Sequence, residues 1–280
     1  MLEQYDLKDI LFFDIETVPQ EKSFDDVNDS LKELWDKKSK YFRKEDESPA
    51  DVYQRAGIYA EFGKIVCISV GLIRMVDGNK TIKLKSYADI DEKALLTSFG
   101  DMLQGYSPDR SSLEAELEVL KQLKEKKEKA KDDIGDLSKK IKEINNKIKN
   151  YRSRYLCGHN IKEFDVPYVA RRMLINGIKL PDAINIAGKK PWEVNFIDTL
   201  DLWKFGDYKH YTSLNLLTNI FGIPSPKDDI DGSEVAKVFY EENDIDRIAR
   251  YCEKDVLATA QLFLRFKGEE LIDPEKVERA

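Results

Sequence analysis

The chain is poor in the residues that build disulfide frameworks and soft-metal sites. It has three cysteines, Cys67, Cys157 and Cys252, far apart and without a Cys-x-x-Cys pair, and two histidines, His159 and His210. An odd cysteine count without paired spacing reads as reduced intracellular thiols. So few sulfur and imidazole ligands argue against a zinc site. No apolar run approaches the roughly 20 residues needed to span a membrane. The opening stretch, MLEQYDLKDI, carries acids and lacks the apolar core of a signal peptide, so the expected location is the cytoplasm. Basic excess is missing too. With 53 acidic against 46 basic residues the formal net charge is −7, which argues against the broad basic surface of a nucleic-acid coat protein. It does not exclude a nuclease, because cations held at an acidic site restore attraction for phosphate.

What is present suffices for one large domain or two small ones: 280 residues, of which 41% are apolar. Charged residues reach 35%, above the usual level of about 25%, and the excess collects in Ser111 to Arg154. Ile10 to Ile15 reads as a short buried strand. Ile65 to Ile73 (IVCISVGLI) is β-branched and apolar, as in a central strand, and Gly78 suggests a hairpin turn into the alternating Thr81 to Tyr87. Leu31 to Phe42, Asp51 to Tyr59 and Ala94 to Leu103 read as helical. In the lysine-rich stretch, apolar residues recur at Leu113, Leu117, Leu120, Ile134, Leu137, Ile141, Ile144 and Ile148, spaced by three and four within each half, with Gly135 interrupting. That pattern predicts two helices folded back as a projecting hairpin; a solvated, partly disordered insertion is the plainer alternative. Tyr155 to Gly158 and Val194 to Ile197 read as strands. Asp165 to Asn176, Thr212 to Phe221, Ser233 to Glu242 and Ile245 to Phe266 read as helices. Strands first and helices later predict a three-layer α/β fold with a mixed sheet.

Three short motifs hold four separated acids: LFFDIETVP with Asp14 and Glu16, GHNIKEFDVPY with Asp165, and YCEKDVLAT with Asp255. Asp14 and Glu16 are two apart on a strand and project from one face; alone they are equally consistent with an edge strand carrying two solvated acids. Asp165 opens a helix with Pro167 in its first turn, where it could serve simply as the cap. Tyr251 and Asp255 share one face of a helix, which by itself fits a half-buried tyrosine beside an exposed acid. Taken together the motifs mean more. Four carboxylates gathered at one point repel one another, and a fold keeps such a cluster when divalent cations neutralise it. Oxygen donors suit hard cations such as Mg²⁺ or Mn²⁺.

In this order, FDIET, Asn-x-x-x-Phe-Asp and Tyr-x-x-x-Asp resemble the DEDD superfamily of 3′–5′ exonucleases. Tyr251, with Arg250 where the histidine branch needs a histidine, is similar to the tyrosine (DEDDy) branch. GHNIKEFDVPYVARR and YCEKDVLAT look like the proofreading exonuclease domain of family-B DNA polymerases. The resemblance covers most of Leu11 to Phe266, apart from the lysine-rich insertion and much of Pro19 to Tyr59. It implies a ribonuclease-H-like fold, one exonuclease domain over 1–280 with 111–154 inserted, and a free-standing enzyme rather than a polymerase. It implies two Mg²⁺ or Mn²⁺ ions held by Asp14, Glu16, Asp165 and Asp255, with Tyr251 orienting the attacking water. It further implies that Thr17 and Asn160 face the terminal nucleotide of a nucleic-acid 3′ end, expected to be single-stranded DNA, with Phe164 as either a further substrate contact or core packing. RNA 3′-end trimming is the near alternative. A non-catalytic scaffold for a polymerase or repair partner is the distant one, and the insertion is available to such a partner or to self-association. Tyr208, Tyr211 and Trp203 are candidate stacking aromatics, with Trp203 favoured for the core, and Lys204, Lys209 and His210 form a small basic cluster.

Overall fold

The computed structural model describes residues 2–107, 110–130, 133–149, 151, 153–207, 211–224 and 229–280. The elements run in the order β1 (Ile10–Pro19), α1 (Asp29–Ser39), β2 (Gly63–Val76), β3 (Asn79–Ala88), α2 (Glu92–Tyr106), α3 (Arg110–Ala130), α4 (Gly135–Lys149), β4 (Tyr155–Gly158), α5 (Asp165–Ile175), β5 (Phe196–Asp198), α6 (Thr199–Lys204), α7 (Leu214–Ile220), α8 (Val235–Lys237), α9 (Ile245–Lys267) and β6 (Val277–Arg279). The chain divides into two compact units. One comprises Met1–Phe99, Tyr155–Leu180 and Phe196–Ala280; the other comprises Gly100–Arg154 and Pro181–Asn195.

The first unit is an α/β fold on a six-stranded mixed sheet of order β5-β4-β1-β2-β3-β6. β1, β2 and β3 are antiparallel neighbours, whereas β4 and β5 run parallel beside β1 and β6 runs parallel beside β3. The β2–β3 turn puts Asp77 and Gly78 at φ 49° and 77°, the left-handed pair that a tight hairpin requires. α9 lies on one face, where Val256, Ala260, Phe263 and Leu264 pack with Phe12, Ile73, Ile82 and Leu84. On the other face Phe13 stacks on Phe99 of α2 at 5.6 Å, and Tyr168 of α5 bonds the Gly57 carbonyl at 2.7 Å.

Several boundaries differ from the sequence reading. β1 continues past Ile15 to Pro19, because β2 keeps pairing with it as far as Gly63. The Asp51–Tyr59 helix is a 3-10 segment at Tyr53–Ile58. It belongs to an aromatic cluster around Trp35, whose indole N–H donates to the Pro49 carbonyl at 2.9 Å. The helix expected over Ser233–Glu242 is a short α8 followed by a π turn at Val238–Glu242. α6 and β6 were not anticipated; a six-residue helix and a three-residue strand carry too little periodicity to register. In the second unit α3 and α4 bury Leu113, Leu117 and Ile144 along a common seam with Leu120, Ile141 and Ile148, so the three-and-four spacing does mark a helix pair. Gly135 opens α4 rather than interrupting a seam, its N–H donating to Asp133 at 2.9 Å. Among the described residues no helix is long and apolar enough to cross a membrane.

Candidate active site

β4 accompanies β1 only from Ile10 to Phe12. Beyond Gly158 the chain turns away through Asn160 at φ 68°, so the rest of β1 loses its parallel neighbour. The opening lies at the carboxyl ends of β4 and β5, where α/β sheets place ligand sites. A bulge between Glu16 and Thr17, with Val66 as the extra residue on β2, adds twist at the same point.

The resulting cleft has a volume of about 410 Å³, and its walls include Asp14, Glu16, Asp165 and Asp255 together with Asn160 and Phe164. Four acids from β1, α5 and α9 thus meet within the first unit, as the motif argument requires. Glu16 and Asp165 are buried, and Asp14 and Asp255 are partly so. Burial, then the charges of Asp255, Asp165 and Glu16, push the Asp14 carboxyl well above the usual carboxylate range, opposed by the Cys252 thiol bonded to it. Burial above all raises Asp165 to about 7, although its own N–H and that of Ile15 donate to it. Asp165 is therefore not the cap of α5. The N-cap is Phe164, with no side-chain cap bond, and the Asp165 carboxylate reaches the edge of β1 that β4 leaves unpaired.

Among the described residues, those lining the cleft include no lysine or arginine. A crowded set of carboxylates, in which burial and then neighbouring charge raise Asp14 and Asp165, is what hard divalent cations neutralise, so the residues present fit Mg²⁺ or Mn²⁺. Tyr251 is buried, and its hydroxyl is hydrogen-bonded to Asp255; burial, then the charges of Asp255, Glu16 and Asp14, raise its pKa far above the usual phenol range. Neither Tyr251 nor Thr17 lines the cleft. Thr17 points to the opposite face of β1, where its hydroxyl bonds Tyr168. Phe164 packs on Tyr168 at 5.5 Å between ring centroids and still reaches the cleft wall. Tyr211 lines the cleft and sits edge-on to His159 at 6.2 Å, whereas Trp203 packs with Phe221 and Phe266. Lys204 is paired to Asp201 at 3.2 Å. Tyr208, Lys209 and His210 lie outside the described residues.

Two participants escaped the motif reading. Asp198, at the end of β5, accepts from the backbone N–H groups of Asn160 at 2.9 Å, Lys162 at 3.2 Å and Leu200 at 3.0 Å. It thereby fixes the turn that carries Asn160. The sequence signal was an acid closing an apolar run, VNFID. Cys252, one of the three unpaired cysteines, places its thiol 3.5 Å from an Asp14 carboxylate oxygen and, with Asp14 and Glu16, completes a group whose ligand atoms lie within 4.8 Å of one another. His159 is held from both sides, with Nε2 donating to the Thr212 carbonyl and Nδ1 against the Thr199 hydroxyl, each at 2.9 Å. Burial lowers its pKa.

Compared with known proteins, residues 114–271 match the model of a family described as predicted 3′–5′ exonucleases related to the exonuclease domain of PolB. The matched span contains Asn160, Phe164, Asp165, Tyr251 and Asp255, and most of the lysine-rich helices that the sequence reading set outside the family core. Asp14, Glu16 and Thr17 precede it. No curated protein matches the chain.

Proposed function

We propose, because the chain belongs to this family of predicted 3′–5′ exonucleases related to the PolB exonuclease domain, that it is a metal-dependent enzyme shortening single-stranded DNA from the 3′ end. It would hydrolyse the terminal phosphodiester and release nucleoside monophosphates. The observation that carries this reading is the convergence of Asp14, Glu16, Asp165 and Asp255 in one cleft.

Asp14, Glu16, Asp165 and Asp255 would hold the divalent cations, which when bound neutralise the cluster, activate water and stabilise the leaving oxygen. The buried Ile15 N–H aims the Asp165 carboxylate, and the Tyr251 hydroxyl is anchored on Asp255. A phenol with so high a pKa stays protonated at neutral pH, so Tyr251 is assigned to orienting the attacking water beside Asp255 rather than to removing its proton. Asn160, at the left-handed turn that Asp198 secures, is assigned to the terminal nucleotide, with Phe164 and Tyr211 as cleft-wall aromatics suited to an unpaired base. Thr17 keeps a substrate role only through its main chain, since its hydroxyl is engaged on the other face. The helices of 111–154 are assigned to an insertion within one exonuclease domain, available to a protein partner or a second copy.

The test is hydrolysis of an end-labelled single strand with Mg²⁺ or Mn²⁺, with and without chelator, read at nucleotide resolution. Stepwise shortening from the 3′ end, abolished by chelator, is expected, and matched DNA and RNA strands decide the sugar preference. A protein inert on every strand with either cation overturns the reading.

A further inference from the structure

A substrate strand carries a negative charge at every phosphodiester, yet among the described residues no lysine or arginine lines the carboxylate cleft. On the α6 side, Lys162 and Lys204 are both paired to Asp201, at 3.0 and 3.2 Å. Lys64 is in a different position. It stands opposite Val18 in the β1–β2 ladder. Opposed residues of an antiparallel pair project to the same face, and so do residues two apart along a strand. Lys64 therefore occupies the rung after Glu16 on the carboxylate face, about 7 Å further along at the usual strand rise. Val18 also packs in one cluster with Phe239 and Tyr251.

The Lys64 side chain is half-buried, with its ammonium 5.0 Å from the Phe239 ring centroid and 5.1 Å from that of Tyr240. Among the described residues no carboxylate lies within ion-pairing distance of it. Glu92 is committed to Arg172, and Glu21 acts only through space. Burial draws the Lys64 pKa below the usual lysine value, as expected for an ammonium short of counter-charge. Beside it is a pocket of about 280 Å³ lined by Lys64, Ile90, Phe239, Tyr240, Asn243 and Ile245. That is just below the ~300–1,000 Å³ of typical small-molecule sites, room for one small group. The Tyr240 hydroxyl donates towards the Pro19 and Gln20 carbonyls at 2.7 and 2.9 Å, which locks the ring in place. Ile90 is 78% exposed.

We propose that this pocket is a phosphate subsite for the substrate strand, in which Lys64 binds a backbone phosphate outside the carboxylate cleft and the Tyr240 ring and Ile90 offer the adjoining base an apolar face. The identity of the strand rests on the exonuclease reading; the pocket's affinity for a nucleic-acid phosphate does not. The experiment compares wild type, Lys64→Gln, Lys64→Arg and Ile90→Glu. It measures hydrolysis of a labelled single-stranded DNA oligonucleotide, and binding of the same oligonucleotide by fluorescence anisotropy across a salt series. Lys64→Gln should raise KM and Kd about fivefold, with the loss falling on KM rather than kcat, and should flatten the salt slope by about 0.7. Lys64→Arg should restore most of the affinity, and Ile90→Glu should weaken binding by repulsion. Wild-type KM and salt slope in a folded Lys64→Gln overturn the subsite. Should that variant not fold, wild-type affinity in Ile90→Glu overturns it instead. A wild type that binds the oligonucleotide through Lys64 without cutting it sinks the exonuclease reading and leaves the subsite standing, and a wild type that binds none sinks both.

Discussion

Asp165 shows how one side chain acquires its role from its surroundings. In the sequence it opens a helix before a proline and passes for a cap. In the fold it is 3% exposed and accepts the N–H of Ile15, a group on another element. The consequence is a pH dependence with a definite sign. Its folded pKa is about 7 against an ordinary 3.8. Below the ordinary value the carboxyl is neutral in both states and its contribution to stability is fully present; as pH rises from 3.8 through 7 the unfolded state ionises while the buried group stays protonated, so that stability is progressively lost, and the loss is complete above 7. Cation-free wild type should therefore lose roughly 5–10 °C of Tm relative to Asp165→Asn between pH 4.5 and 7.5, and Mg²⁺ or Mn²⁺ should restore it. Parallel Tm–pH profiles for the two proteins would contradict the burial argument. For Tyr251→Phe, turnover should fall up to about 100-fold while calorimetry shows cation binding nearly intact; loss of both would remove Tyr251 from water orientation. Asp198 was not legible as a site residue, because its partners are backbone N–H groups of a loop that folds onto it.

Among the elements, the crossing of α5 over β2 and the start of α2 depends on a buried ion pair. Arg172 donates through Nε to Glu92 at 2.8 Å, through Nη2 to the same carboxylate at 2.5 Å and through Nη1 to the Ala60 carbonyl at 2.9 Å. Glu92 also accepts from the Ile65 N–H at 2.7 Å and from Asn176 at 3.0 Å. Removing one partner strands the other in a low-dielectric interior. Arg172→Met should cost about 3–5 kcal/mol in chemical denaturation, and combining it with Glu92→Leu should recover much of that; additive losses would show that the pair is not coupled. Strand and helix identities were readable from apolar spacing, whereas the length of β1 was not. It is set by how far β2 pairs alongside, a contact between segments some 50 residues apart. Helix ends fared better where a local signal exists, as at Gly177, whose φ of 69° closes α5.

For the whole molecule, every described residue lining the carboxylate cleft belongs to the first unit, and the α3–α4 seam belongs to the second. Shortening the helical pair by replacing residues 121–140 with a brief glycine–serine linker keeps Leu113, Leu117, Ile144 and Ile148. Cation affinity should stay within about twofold of wild type by calorimetry. A larger loss would make the second unit part of the centre.

The sequence by itself determined the candidate acids of this protein: which carboxylates, in which motifs, on strand or helix, and the family those motifs resemble. These are local properties, written in residue types and in spacings of two, three and four. Tertiary structure alone decided that β4 stops short and leaves β1 open beside α5, that Thr17 turns away while Cys252 and Asp198 turn in, and that Lys64 stands one rung beyond Glu16 with no carboxylate paired to it among the described residues. Each depends on strand register and on which chain segments meet across the sheet, and such pairings between distant residues leave no periodic trace in the order of the amino acids.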